Sequence, residues 1–176
     1  SRKKPSKRSQ RRRRVWISSS PTRQGQDPTM LNKVSYVPPE VLDVVGDDAM
    51  ALLEPAIAMS EGRWSVDEVA KRILTSEYQL WMVFDEDSLP IAALVTKIEN
   101  YPHKSMLNLL FTGGEDLEDW HDEMLTELEK FSKDHGCHGM ELVGRFGWKK
   151  FLASHGWETN YVVCERTFVQ EMKEVA

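Results

Sequence analysis

Residues 65–99 read SVDEVAKRILTSEYQLWMVFDEDSLPIAALVTKIE, and this stretch decides the fold. It opens as a helix. Ser65 with Glu68 three residues later is a capping box, in which the hydroxyl and the carboxylate each satisfy a free backbone N–H. Val66, Val69, Ala70 and Ile73 then share one face of a helix running to about Leu74. After that the period changes. Gln79–Phe84 is short, apolar and aromatic-rich, Asp85-Glu86-Asp87-Ser88 is a polar turn, and Pro90–Glu99 is the return strand. The pair predicts a hairpin.

Upstream, Lys33–Val37 reads as a short strand closed by Pro38-Pro39. Glu40 to about Met59 carries Val41, Val44, Val45, Leu52, Leu53 and Ile57 at helical spacing. Gly46-Asp47-Asp48 is expected to interrupt that helix, with an Asp capping the second piece.

Downstream, Tyr101-Pro102-His103 breaks the chain. Ser105–Thr112 is nearly continuous in apolar residues and predicts a central strand buried on both faces, ended by Gly113-Gly114. Leu117, Trp120, Met124, Leu128 and Phe131 step by three and four, so they line one face of a long helix. Glu115, Asp116, Glu118 and Asp119 crowd its start, where the helix dipole favours them. Gly136 closes it. Gly139–Gly144 predicts a strand, Phe146–Ser154 a short helix, and Glu158–Phe168 a final strand.

Residues 1–29 are a different kind of sequence. Arg2, Lys3, Lys4, Lys7, Arg8, Arg11, Arg12, Arg13, Arg14 and Arg23 face a single acid, Asp27, so the net charge of −5 hides a basic arm on an acidic body. Apolar residues are scarce there, and the arm is expected to be flexible. Val15, Trp16 and Ile17 are its one adhesive patch. Met30 is a plausible start for the domain, which is taken as residues 30–176. The lysines and arginines at 2–4, 7–8 and 11–14 suit salt-dependent contact with phosphates. An acidic protein surface, virion proteins or another copy of the chain are the other partners such an arm fits.

No apolar run approaches the ~18–20 residues needed to cross a bilayer. The basic start lacks the apolar segment of a secretory signal. A soluble, cytoplasmic protein is expected, with association with a virion as the alternative setting. Cys137 and Cys164 are expected to be reduced. His135, Cys137 and His138 read as a helix exit and strand start, and no metal site is expected.

The element order resembles the GNAT superfamily of acetyl-CoA-dependent N-acetyltransferases across residues 33–168. Residues 65–99 look like that family's second helix and hairpin. Residues 136–158, GCHGMELVGRFGWKKFLASHGWE, look like the strand, short helix and Gly-aromatic turn that end its domain, and particularly like small GNAT-like proteins of short-tailed bacteriophages. The resemblance implies an α/β (α+β) mixed sheet, splayed near its middle, with acetyl-CoA lying in the splay. It implies that Phe111, Thr112, Gly113 and Gly114 meet the cofactor, by strand-like pairing with the pantetheine arm.

The sequence departs from the family at its chemistry. The family's Gly-rich diphosphate loop falls on Asp116–His121, so Asp119 and His121 stand where glycine is expected. On the short helix Arg145, Trp148, Phe151, Gly156 and Trp157 fall on the family's pattern, and Leu152 stands where a general-acid Tyr is expected. Tyr161 is then the candidate acid. Glu99 is the candidate base, with Tyr101 and His103 also near by position. Arg145, Lys149 and Lys150 form a basic patch that suits a phosphate or simply solvent. Two functions stay open. One is an interaction or assembly protein on a catalytically silent GNAT-like domain. The other is an active N-acetyltransferase acting on an amine.

Overall fold

The computed structural model describes residues 34–168. The elements are β1 (Val34–Val37), a 3-10 turn (Pro39–Val41), α1 (Leu42–Ala58), α2 (Val66–Leu74), β2 (Gln79–Phe84), β3 (Pro90–Asn100), β4 (Ser105–Gly114), α3 (Leu117–Asp134), β5 (Gly139–Leu142) and α4 (Phe146–Ala153). The five strands form one sheet in the order β1-β2-β3-β4-β5. All pairs are antiparallel except β4–β5, which is parallel. The basic residues at 2–14 lie outside the described residues.

The sheet is covered on both faces, and the strands read out that division residue by residue. In β2, Trp81 and Val83 join the core under α3 and α4, while Leu80 and Met82 join the core under α1 and α2. In β3, Ala92 and Leu94 face the first, and Ala93 and Val95 the second. Successive side chains of a strand point to opposite faces, which makes this alternation obligatory. β3 is the middle strand, and Ala92–Thr96 are all buried. The strand expected to be buried on both faces, β4, is less enclosed: only Leu107 and Leu109 are buried in it.

Two local expectations need correction. Gly46 does not interrupt α1, which is one helix from Leu42 to Ala58. Glycine in a helix interior costs about 1 kcal/mol relative to alanine. Val45 and Met50 pack on the second core beside buried Ala49, Leu53 and Ile57, and that burial outweighs the cost. The final strand at 158–168 is not formed. Its apolar residues are contiguous rather than alternating, and Tyr161, Val162 and Val163 stand in solvent. A strand exists only through a ladder partner, and this segment pairs with none among the described residues. Glu165 instead forms an ion pair with Arg63.

The aromatics hold the layers together. Trp81 and Trp120 are buried, and Trp64, Trp148 and Trp157 pack half-buried on the two cores. Cys137 and Cys164 are free thiols. His135 bonds the Phe131 carbonyl at the α3 exit, and His138 accepts from the Ser105 N–H, so both have local structural roles. No helix among the described residues is long and apolar enough to cross a membrane.

Candidate functional site

β4 runs beside β3 for its whole length but beside β5 only from Met106 to Leu109. β5 ends at Leu142, opposite Leu109. Among the described residues, Leu110 to Gly114 therefore carry one backbone edge with no strand partner, in a fork where β4 outruns β5 before the chain enters α3 after the one and α4 after the other. The β3–β4 register slips between Val95 and Thr96, which leaves Leu110 as an extra residue. Such a bulge bends and twists the strand that carries it.

The floor of the fork is tightly built. A Cβ on Gly114 would lie 2.5 Å from the Ala92 Cα, and Gly114 has φ +129°, a backbone conformation open to glycine. The Glu115 N–H donates to the Ile91 carbonyl at 3.2 Å. The Trp120 indole N–H donates to the Glu115 carbonyl at 2.9 Å. Asp116 precedes α3 in the left-handed conformation, φ 56° and ψ 41°, which a short polar side chain tolerates. A shallow groove between β1 and α3, lined in part by Tyr36, Trp81 and Phe131, lies at the other edge of the sheet.

No protein-family model matches the sequence, and no curated protein is similar to it in sequence. Solved structures are similar in shape. An aminoglycoside acetyltransferase from an uncultured soil metagenomic sample, in complex with sisomicin, superposes with TM-score 0.58 at 10% identity, over 79% of this chain and 96% of that one. Glucosamine-6-phosphate N-acetyltransferase from Arabidopsis thaliana gives TM-score 0.53 at 11% identity, over 78% and 98%. A predicted acetyltransferase from Clostridium acetobutylicum, crystallised with acetyl-CoA, gives 0.56 at 10% identity, over 76% and 94%. The chain has the GNAT acetyltransferase fold.

In GNAT terms the fork is where the resemblance puts acetyl-CoA, and it brings Phe111, Thr112, Gly113 and Gly114 together on one edge. Gly113 and Gly114 offer backbone alone. The Phe111 ring packs on the α1–α2 side, edge-on to Trp64 at 6.4 Å. Gly113 and Gly114 are explained by close backbone packing, which is a different job from cradling a phosphate.

The candidate catalytic residues do not gather in the fork. Glu99 pairs in register with Met106, and Thr112 lies six residues further along β4, about 20 Å away. Glu99 bonds Lys97 at 2.8 Å. Tyr161 is 88% exposed on the unpaired segment. Tyr101 donates to Glu141 at 2.7 Å beside the β3–β4 turn, and His103 sits exposed in that turn. At the Tyr position of the GNAT pattern, Leu152 is 6% exposed and part of the core with Leu107, Leu109 and Met124.

The segments that follow β4 and β5 carry opposite charges. Glu118 and Asp119 occupy the first turn of α3, with Glu115 and Asp116 just before it. Arg145, Lys149 and Lys150 are exposed on and before α4. Between α3 and the end of α4 the structure brings His155 to the adjacent pair His121 and Asp122. Asp122 lies 3.1 Å from His121 Nε2 and 2.8 Å from His155 Nε2. The hydrogen bond His155 gives to Asp122, then that to the Phe151 carbonyl, hold His155 above the usual imidazole range, and the same His155 bond holds Asp122 below the usual carboxylate range. His121 and His155 are 34 residues apart in the chain, and no spacing rule connects them.

Proposed function

We propose that this chain is an interaction protein built on a GNAT fold, silent in acetyl transfer, whose basic arm binds nucleic acid. The observation that carries the first half is Leu152. A buried leucine at the position of the general acid cannot give a proton to a departing thiolate. The acidic start of α3 supports the same reading. Each carboxylate about 6 Å from a diphosphate charge opposes it by about 1–3 kcal/mol at an effective dielectric of 20–40. The N–H of Glu115 is already bonded, so the loop has one donor fewer to offer a phosphate.

The second half rests on the density of cations at residues 2–14. Phosphate neutralisation by such an arm is independent of sequence and falls steeply with salt. The likeness of residues 136–158 to small phage proteins makes a virion or an assembly complex the setting in which we place that contact.

One observation favours the alternative, an active N-acetyltransferase: the β4 edge at 110–114 has no strand partner among the described residues, and its backbone suits pairing with a pantetheine arm. Calorimetric titration with acetyl-CoA decides between them. The silent reading expects no heat at millimolar ligand, and micromolar binding overturns it. For the arm, retention on immobilised DNA at low and high salt is compared with and without residues 1–29. Loss of retention on deletion supports the arm, and unchanged retention removes it.

A further inference from the structure

We infer that His121, Asp122 and His155 form a binding site for one divalent transition-metal ion of the zinc class, which ties α4 to α3. The site is independent of whether acetyl-CoA binds.

The geometry is that of a ligand set. One ring nitrogen from each histidine and one Asp122 oxygen all lie within 4.8 Å of one another. His121 and Asp122 sit on α3, and His155 follows α4 directly. His121 Nδ1 lies 3.1 Å from the Leu117 carbonyl, and His155 Nδ1 lies 3.0 Å from the Phe151 carbonyl. A carbonyl only accepts, so each Nδ1 bears the hydrogen and each Nε2 is turned inward. Metal-bound histidines have this outer bond, which fixes tautomer and ring orientation. Phe151 stands edge-on to His121 at 4.8 Å and packs on His155 at 5.0 Å, and this further restrains both rings.

Three acceptor atoms thus meet at one point. A neutral imidazole with its hydrogen on Nδ1 presents a lone pair at Nε2, and a carboxylate presents only lone pairs. Lone pairs that face one another repel, and a cation set between them turns that repulsion into coordination; any proton held on an Nε2 leaves to solvent as the metal binds.

The donor set names the metal class. Two imidazoles and one carboxylate suit zinc and its neighbours, with water in a fourth position. Magnesium and calcium prefer all-oxygen shells. Tetrahedral ligands at zinc distances stand about 3.3 Å apart. Asp122 already stands 3.1 and 2.8 Å from the two nitrogens, so only the gap between the histidine nitrogens, at most 4.8 Å, must close, by up to about 1.5 Å, through a small turn of the His155 ring.

The test uses the full chain, stripped with a chelator and titrated with Zn²⁺ by calorimetry and with Co²⁺ by visible absorption. One ion per chain is expected, with the d–d bands of a nitrogen/oxygen tetrahedral site and no thiolate charge-transfer band, which separates this site from Cys137 and Cys164. Asp122→Asn and His155→Gln should each weaken uptake by at least about tenfold, since even outer-shell changes cost that much. Zinc should raise the melting temperature of the wild type and not that of Asp122→Asn, whose exposed position keeps the fold intact. Absence of uptake by the wild type overturns the inference, and so does unchanged affinity in Asp122→Asn or a thiolate spectrum.

Discussion

Gly113 of β4 lies against the backbone of α1: a Cβ on it would stand 2.1 Å from the Leu52 carbonyl oxygen. The strand and the helix touch here without a side chain between them. That contact sets how closely α1 sits over β3 and β4, beneath the unpaired edge of the fork. Gly113→Ala should lower the free energy of unfolding by about 3 kcal/mol or more, because the clash is with backbone and cannot be relieved by a rotamer change. Gly46 has nothing within 4 Å of its virtual Cβ inside α1, so Gly46→Ala should raise stability by about 0.5–1 kcal/mol. Urea denaturation followed by circular dichroism reads both, and a Gly113→Ala protein as stable as the wild type would refute the packing account.

Thr96 is fully buried and carries a short chain of hydrogen bonds. The Trp81 indole N–H donates to the Thr96 hydroxyl at 3.0 Å, and that hydroxyl donates to the Gln79 side-chain oxygen at 3.1 Å. Thr96→Val keeps the shape but leaves the indole donor unpaired, at a cost of about 1–3 kcal/mol. Thr96→Ser keeps the hydroxyl and should lose much less. Equal denaturation midpoints for the two variants would contradict the role given to the hydroxyl.

Ser65 caps α2 by accepting from the Glu68 N–H at 3.2 Å. Ser65→Ala should cost about 1 kcal/mol, and Ser65→Asp should recover most of it. Thermal melts of the three proteins test the cap, and an unaffected alanine variant would remove it.

The Tyr101–Glu141 pair predicts behaviour at alkaline pH. The hydrogen bond to Glu141 is the main reason the Tyr101 phenol is held above its ordinary value, and nearby carboxylate charge adds to it. The folded protein therefore keeps this proton more tightly than the unfolded chain. The pair's contribution is complete below the ordinary tyrosine value of about 10 and is lost as pH rises through the higher folded value. Tyr36 and Tyr78 are also held above the ordinary value by burial, so the late tyrosinate absorbance is shared, and Tyr101→Phe should remove one tyrosine's share of it while Glu141→Gln moves that share to lower pH. A share unmoved by Glu141→Gln would show that the hydrogen bond is not its cause.

Much of the fold was legible in the chain because its signals are local. The Ser65 cap, the 79–99 hairpin and the apolar stripe from Leu117 to Phe131 all depend on residues within a few turns of one another. The segment at 158–168 failed for the opposite reason. Its composition favours a strand, yet strand formation depends on a partner that composition does not specify. The acidic start of α3 and the leucine at position 152 were visible as residue types, while the burial of Leu152 was not.

Read alone, the chain places β1 to β5 and α2 to α4, the apolar faces of its helices, and a basic arm ahead of an acidic domain, but neither the continuity of α1 nor the lack of a strand at 158–168. Periodicity and composition are written along the chain, so a one-dimensional reading reaches them. The tertiary structure alone shows which β4 residues β5 pairs with, why Gly113 must be glycine, and that His121 and Asp122 meet His155. Each of these is a close approach between atoms far apart in sequence, fixed by packing two helical layers onto one twisted sheet.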